Sequence, residues 1–159
     1  WALSSIHIIP QSGNLNQAKE WTQKALKISE RFDHTFVIAI CFFRLSDIAR
    51  RENDHTTSLN YLKQSLQTWW NVGYKWVVSA PLARIARLFA YQGNAEKAVG
   101  ILATIYPHLT PFQDTEQIAQ ELHDRLKHEL EPKRFAVGWK RGQERELGEL
   151  VTELLAELE

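Results

Sequence analysis

At 159 residues the chain has one domain's worth of length. Its 19 Lys and Arg offset 19 Asp and Glu, so no global charge draws it toward nucleic acid or an acidic membrane surface. Seven Gly and five Pro are too few for a disordered, collagen-like or turn-rich all-β chain, which leaves a helical one. The lone cysteine, Cys41, forms neither an internal disulfide nor a Cys-rich zinc site, and a reduced, cytoplasmic setting fits it best. The longest apolar run, Phe36 to Phe43, has eight residues where a bilayer span needs roughly 20, so no membrane helix is predicted. The start, Trp1-Ala2-Leu3, does not read as a charged signal peptide, and the absence of any Met predicts a piece of something longer.

Taken along the chain, the sequence matches itself at a shift of 40. Gly13-Asn14, Asn53-Asp54 and Gly93-Asn94 are turn pairs, and five residues after the first member of each stands a small residue, Ala18, Ser58 or Ala98. The same register aligns Trp21 with Tyr61 and Ile101, and Leu26 with Leu66 and Tyr106. Upstream of the turns it aligns Phe42-Phe43-Arg44-Leu45 with Leu82-Ala83-Arg84-Ile85. Each unit reads as two antiparallel helices. In the second unit Val37, Ile40, Cys41, Leu45, Ile48 and Ala49 recur before the turn at spacings of 3 and 4, the period of one helical face. Leu59, Leu62, Leu66 and Trp69 resume that period after it. The small residues are predicted where the two helices cross, because a larger side chain would push the pair apart.

A helix pair of this size cannot bury its apolar face alone, so the units are predicted to stack. The period fails toward the C-terminus. Pro132 opens a short helix with Phe135 and Trp139 on one side, stopping near Gly142, and a last helix carries Leu147, Leu150, Val151, Leu154, Leu155 and Leu158. The other face of that last helix is rich in Glu and Arg, as the end cap of a stack requires. The predicted division is helical repeats over 1–131 and capping helices of the same domain over 132–159.

The segments Gly13-Asn14-Leu15-Asn16-Gln17-Ala18 and Gly93-Asn94-Ala95-Glu96-Lys97-Ala98 resemble the "G-[ND]-x-x-x-A" second-helix signature of the tetratricopeptide repeat family. The unit departs from it in having 40 residues rather than 34, Ser58 and Ser65 where Ala is usual, and no terminal Pro. Such units also resemble the C-terminal repeats of bacterial LuxR-type and NB-ARC signal-transduction ATPases. Phe135-Ala136-Val137-Gly138-Trp139-Lys140-Arg141-Gly142 is similar to the "F-x-x-x-W-x-x-G" closing element of those proteins. The resemblance implies an all-α, right-handed TPR-like superhelix of about three helix pairs with a C-terminal cap. It further implies a sensor or autoinhibitory arm of a larger transcription-regulating ATPase, with the nucleotide-binding part elsewhere; the alternative is a free-standing adaptor that binds acidic peptide segments.

Catalytic motifs are sparse. No G-x-x-x-x-G-K-[ST] or G-x-G-x-x-G loop occurs, so no nucleotide cofactor is expected. His123 and His128 stand five apart, on different helical faces, where an H-E-x-x-H metal site needs a spacing of four. Cys41 with His34 invites a Cys–His nucleophile reading, but an apolar run is the place of an inert buried thiol. Glu129 and Glu131 read as solvated charges at a helix end. The expectation is a non-catalytic module without metal or cofactor.

The informative residues are those left facing the inner wall of the stack. With Leu45, Ile48 and Ala49 packed inward, the same helix presents Phe43, Arg44, Asp47, Arg50 and Arg51, and the next presents Arg84, Arg87 and Tyr91 in matching columns. The same shift reaches His123 and Lys127 in a fourth unit. Phe43, Arg44, Asp47, Arg84, Arg87, Tyr91, His123 and Lys127 are therefore predicted to line a groove that grips carboxylates of an acidic protein or peptide. The plain alternative is a solvated face neutralised in part by Asp47 and Glu52. Trp69, Trp70, Tyr74 and Trp76 are read as packing the junction between units, with an exposed docking patch as the alternative. The partners expected are such a segment or other domains of the parent chain, and neither nucleic acid nor membrane.

Overall fold

The computed structural model describes residues 14–157, and its architecture follows from four helix ends. Asp33, Asn53, Gly73 and Gly93, twenty residues apart, hold left-handed backbone with φ of 51°, 61°, 84° and 82°. At each, the next amide bonds back five residues: His34 to Ser29 (2.9 Å), Asp54 to Ala49 (2.9 Å), Tyr74 to Trp69 (3.0 Å) and Asn94 to Phe89 (2.8 Å). This is the Schellman closure, which satisfies carbonyls that the helix end leaves bare. The 40-residue sequence register is therefore two half-periods of 20, and the turns at Asp33 and Gly73 are missed by comparing whole units.

Between these turns lie α1 (Leu15–Arg31), α2 (Thr35–Arg51), α3 (His55–Asn71), α4 (Ser79–Tyr91) and α5 (Ala95–Ile105). Asn14 caps α1 by accepting from the Asn16 and Gln17 amides at 3.0 and 3.4 Å, and Asp54 caps α3 by accepting from Thr57 at 3.0 Å. A connector with two 3-10 turns, Tyr106–His108 and Phe112–Asp114, leads to α6 (Thr115–Glu129), α7 (Pro132–Gln143) and α8 (Leu147–Glu157). No strand occurs among the described residues, and no helix there is long and apolar enough to cross a membrane. Consecutive helices pack on one another from α1 to α5; α4 then also meets α6, and α5 meets α7. The chain is an all-α array of packed helices. Gly13, used in the sequence register, and Leu158, assigned to the last helix, lie outside the described residues.

The small-residue column behaves as a packing device where both helices of a unit are described. Ser58 is buried and its hydroxyl donates to the Ser46 carbonyl of α2 at 2.8 Å; Ser65 does the same to Ala39 at 2.9 Å. These two hydroxyls tie α3 to backbone acceptors of α2, which explains serine where the repeat resemblance leads one to expect alanine. Ala98 is fully buried, whereas Ala18 is half-buried and Trp21 of α1 is 63% exposed. Its column mate Tyr61 stacks on Phe42 at 6.2 Å, and Ile101 is buried, so this column is not uniform. Ala98→Leu is expected to overpack its site and cost about 1–3 kcal/mol, read by denaturant unfolding.

The C-terminal helices depart from a simple end seal. Gly142 of α7 lies so close to α5 that an added Cβ would stand 2.6 Å from the Gly100 carbonyl oxygen. Thr104 of α5 donates from its hydroxyl to the Gly142 carbonyl at 2.9 Å. After this crossing α8 turns back and lies against α5 and α3, with Leu150, Val151 and Leu154 buried. Gly148 faces the Trp70 indole, and Lys97 pairs with Glu157. The last helix thus covers a flank of α3 and α5 instead of standing beyond α7, and its polar residues Glu149, Thr152 and Glu153 point outward.

Candidate functional site

Residues 36, 40, 43, 47 and 50 share one face of α2, and 80, 84, 87 and 91 share one face of α4, because helical neighbours recur every three to four positions. Asp47 is the hub where the two faces meet. Its carboxylate accepts from Arg84 Nε at 3.3 Å and stands 3.8 Å from Arg50 Nε. Arg84 also donates from Nη2 to Asp114 at 2.7 Å and lies 4.2 Å over the ring of Phe43.

Two of the predicted groove residues are corrected by this geometry. Arg84 is 3% exposed and Phe43 1%, so both form the floor of the wall, not its open surface. The reason is that the connector folds back over them: Phe112 rests on Phe43 at 5.9 Å while Asp114 holds Arg84. Arg44, Asp47 and Arg87 do lie on the wall, half-buried, together with Arg50.

The electrostatics leave this wall short of negative charge. Among the described residues four arginines, 44, 50, 84 and 87, are set against Asp47 and Asp114, a balance of 4 − 2 = +2. Arg44 Nη2, Arg50 Nε and Arg87 Nε are each buried without a hydrogen-bond partner among the described residues. Burial, followed by the charges of Arg50 and Arg84, holds the Arg87 guanidinium below its ordinary pKa range, with Asp47 and Tyr91 acting in the opposite sense. Burial lowers Arg44 as well. An arginine does not shed its proton under ordinary conditions, so the cost of desolvation is relieved by an anion.

Two more predicted residues belong elsewhere. His123 packs against Tyr106 (6.0 Å), Phe135 (5.5 Å) and Trp139 (4.9 Å) at the contact of α6 with α7. Its Nδ1 lies 3.0 Å from Asp124, and that hydrogen bond, followed by one from Gln120, lowers the Asp124 carboxyl. Lys127 is exposed, and it is Arg125 that reaches the α4 face, lying 4.7 Å over the Tyr91 ring, which is itself 62% exposed. The cause is a slip in register: α4 ends at Tyr91 and α6 at Glu129, 129 − 91 = 38 residues on, two short of the repeat. A two-residue slip turns a helix by roughly 200°, to the opposite face.

The remaining sequence candidates resolve as follows. Cys41 is buried, and burial pushes its thiol above the ordinary range against the opposing influence of Arg44. A thiol so held is a poor nucleophile, and helix rise places it roughly 10 Å along α2 from His34. No group of three or more His, Cys, Asp or Glu converges as a metal site among the described residues. The aromatic cluster divides: Trp69 is wholly buried among Phe36, Phe43 and Phe112, whereas Trp76 is 57% exposed and stacks on Phe36 at 6.3 Å.

A cavity of about 1050 Å³ lies between α5, α7 and α8. Of its five lining cations, Lys97, Arg134 and Arg145 are paired with Glu157, Glu96 and Glu153, and Lys133 and Arg141 share the lining with Glu144 and Glu149, so it lacks the charge imbalance of the α2–α4 wall. Sequence columns found most of that wall but missed Phe112, Asp114 and Arg125. Phe112 and Asp114 stand in a connector outside every repeat column, and only Pro107 and Pro111, both ahead of them, mark it as distinct.

No protein-family model matches this chain, and no curated protein or solved structure matches it. What the fold defines is an all-helical array of packed helices compatible with a helical repeat.

Proposed function

We propose that this chain is a non-catalytic, TPR-like helical-repeat module that binds an acidic protein or peptide segment on the α2–α4 wall. The observation that carries the reading is the set of three buried guanidinium nitrogens, on Arg44, Arg50 and Arg87, that have no hydrogen-bond acceptor among the described residues. A carboxylate of a partner supplies both the missing acceptors and the missing charge, and guanidinium geometry suits it in bidentate fashion. The context we assign is the C-terminal regulatory arm of a larger bacterial signalling ATPase, supported by the likeness of residues 135–142 to the closing element of such proteins.

The reading is tested by titrating a fluorescent Glu- and Asp-rich peptide into the wild-type chain and into Arg44→Glu/Arg87→Glu. The wild type is expected to bind, with affinity falling as salt rises, because exposed charge is screened over about 8 Å at physiological ionic strength. The reversed variant is expected to lose binding at least tenfold with an unchanged helical spectrum. Equal binding by the two proteins would sink the reading.

A further inference from the structure

The connector between α5 and α6 already occupies part of this wall. Phe112 meets Trp69 edge to face (5.8 Å, 87°) and tilts over Phe43 (5.9 Å, 55°). Two residues later the Asp114 carboxylate accepts from Arg84 Nη2 at 2.7 Å. Within the segment, the Thr115 hydroxyl donates to the Phe112 carbonyl, and the Phe112 amide donates to the Thr110 hydroxyl at 3.4 Å. Asp114 makes its contact from left-handed backbone, φ 57°, a conformation few residues other than glycine adopt. An aromatic ring and a carboxylate two positions apart thus face a floor in which the Arg84 guanidinium covers the Phe43 ring at 4.2 Å.

The connector satisfies this floor incompletely. Trp69 is wholly buried and touches Phe112, yet its indole Nε1 has no hydrogen-bond partner among the described residues. The three unsatisfied guanidinium nitrogens lie on the same two helices. Beyond Trp69, Phe36 links the floor to Tyr74 at 5.1 Å and to the exposed Trp76 at 6.3 Å, so the apolar end of the wall opens to solvent. A segment that repeats the ring-then-acid order and brings further acceptors makes the connector's contacts and also fills the donors it leaves bare.

We propose that the α2–α4 wall recognises a partner protein segment carrying an aromatic residue two positions ahead of an acidic one, and that residues 109–114 are a built-in occupant which that segment displaces. The proposal rests on the acidic-segment reading given above and narrows its partner. It makes the connector a competitor, so emptying the seat raises the affinity for the motif in trans.

The test uses a labelled seven-residue peptide with the sequence of residues 109–115, and the same peptide carrying Phe112→Ala. Both are titrated by fluorescence anisotropy into the wild-type chain, Asp114→Asn, and Phe112→Ala/Asp114→Asn. The double variant is expected to bind the native-sequence peptide at least tenfold more tightly than the wild type does, and to prefer it at least tenfold over the Phe112→Ala peptide. Asp114→Asn removes a carboxylate at the surface and not a core side chain, so it carries the test if the double variant does not fold; its expected gain over wild type is about threefold. Equal affinity for the two peptides, or no gain in either variant, overturns the proposal. If a Glu- and Asp-rich peptide without aromatics still binds in a manner sensitive to Arg44→Glu/Arg87→Glu, only the motif has failed. If that peptide does not bind either, the underlying reading fails with it.

Discussion

Trp69→Ala is expected to lower the stability of the chain by about 3–5 kcal/mol, measured by denaturant unfolding followed by far-UV circular dichroism. The indole is wholly buried where α2, α3 and the connector meet, with Phe36 at 6.1 Å, Phe43 at 5.7 Å and Phe112 at 5.8 Å around it. Its removal leaves a cavity bounded by packed rings: Phe43 lies under Arg84, and Phe112 rests on Phe43 at 5.9 Å. Such a site collapses poorly, which is the condition under which truncation costs most. The indole nitrogen has no hydrogen-bond partner among the described residues, so Trp69→Phe keeps an aromatic ring and removes a buried unsatisfied donor. Its loss is expected to be the smaller of the two; a loss for Trp69→Phe as large as that for Trp69→Ala would show that ring volume does not set the stability of this site.

Gly142→Ala is expected to destabilise by on the order of 3 kcal/mol, although alanine is the better helix former by about 1 kcal/mol. A Cβ at this position would stand 2.6 Å from both the Gly100 carbonyl oxygen and the Ala103 Cβ, one of them backbone and the other without a rotamer to change. Relief requires α7 to back away from α5, which stretches the bond from the Thr104 hydroxyl to the Gly142 carbonyl. Gly100→Ala makes the control across the same crossing. Nothing lies within 4 Å of a Cβ built on Gly100, so that change is expected to be neutral or stabilising through helix propensity. Thermal unfolding of the two variants separates the cases, and equal shifts in both would show that the close approach at Gly142 does not limit the packing of α7.

The two substitutions differ in how visible their causes are in the sequence. Trp69 lies on the apolar period of Leu59, Leu62 and Leu66, so its burial is readable from spacing alone. Gly142 reads as a helix stop, and α7 ends one residue after it, but its missing side chain also allows a helix crossing. Glycine near a helix end carries two meanings, chain reversal and close approach, and only the position of α5 separates them.

The candidate site divides in the same way. Arg44, Asp47, Arg84 and Arg87 come from residues three or four apart on two neighbouring helices, and the repeat register was sound across α2 and α4. It failed at α6, where the 3-10 connector changes the count by two residues and turns His123 toward Phe135 and Trp139. Arg84 illustrates a further limit. Its column marks it as facing the wall, but its burial comes from Phe43 beneath it and Asp114 beside it, 30 residues further along the chain.

By itself, the sequence determined the all-α class, the helix ends at Asn53 and Gly93, the start of α7 at Pro132 and the common face of α2 that carries Phe43 and Asp47. These depend on local physics: a left-handed turn residue, a proline without an N–H, and side chains recurring every 3.6 residues. Only the tertiary structure decided that Arg84 is enclosed, that Phe112 and Asp114 sit on the wall, and that α8 returns along α5 and α3. Those outcomes depend on which distant surfaces meet, and a slip of two residues along a helix moves a side chain to the opposite face while leaving every local signal intact.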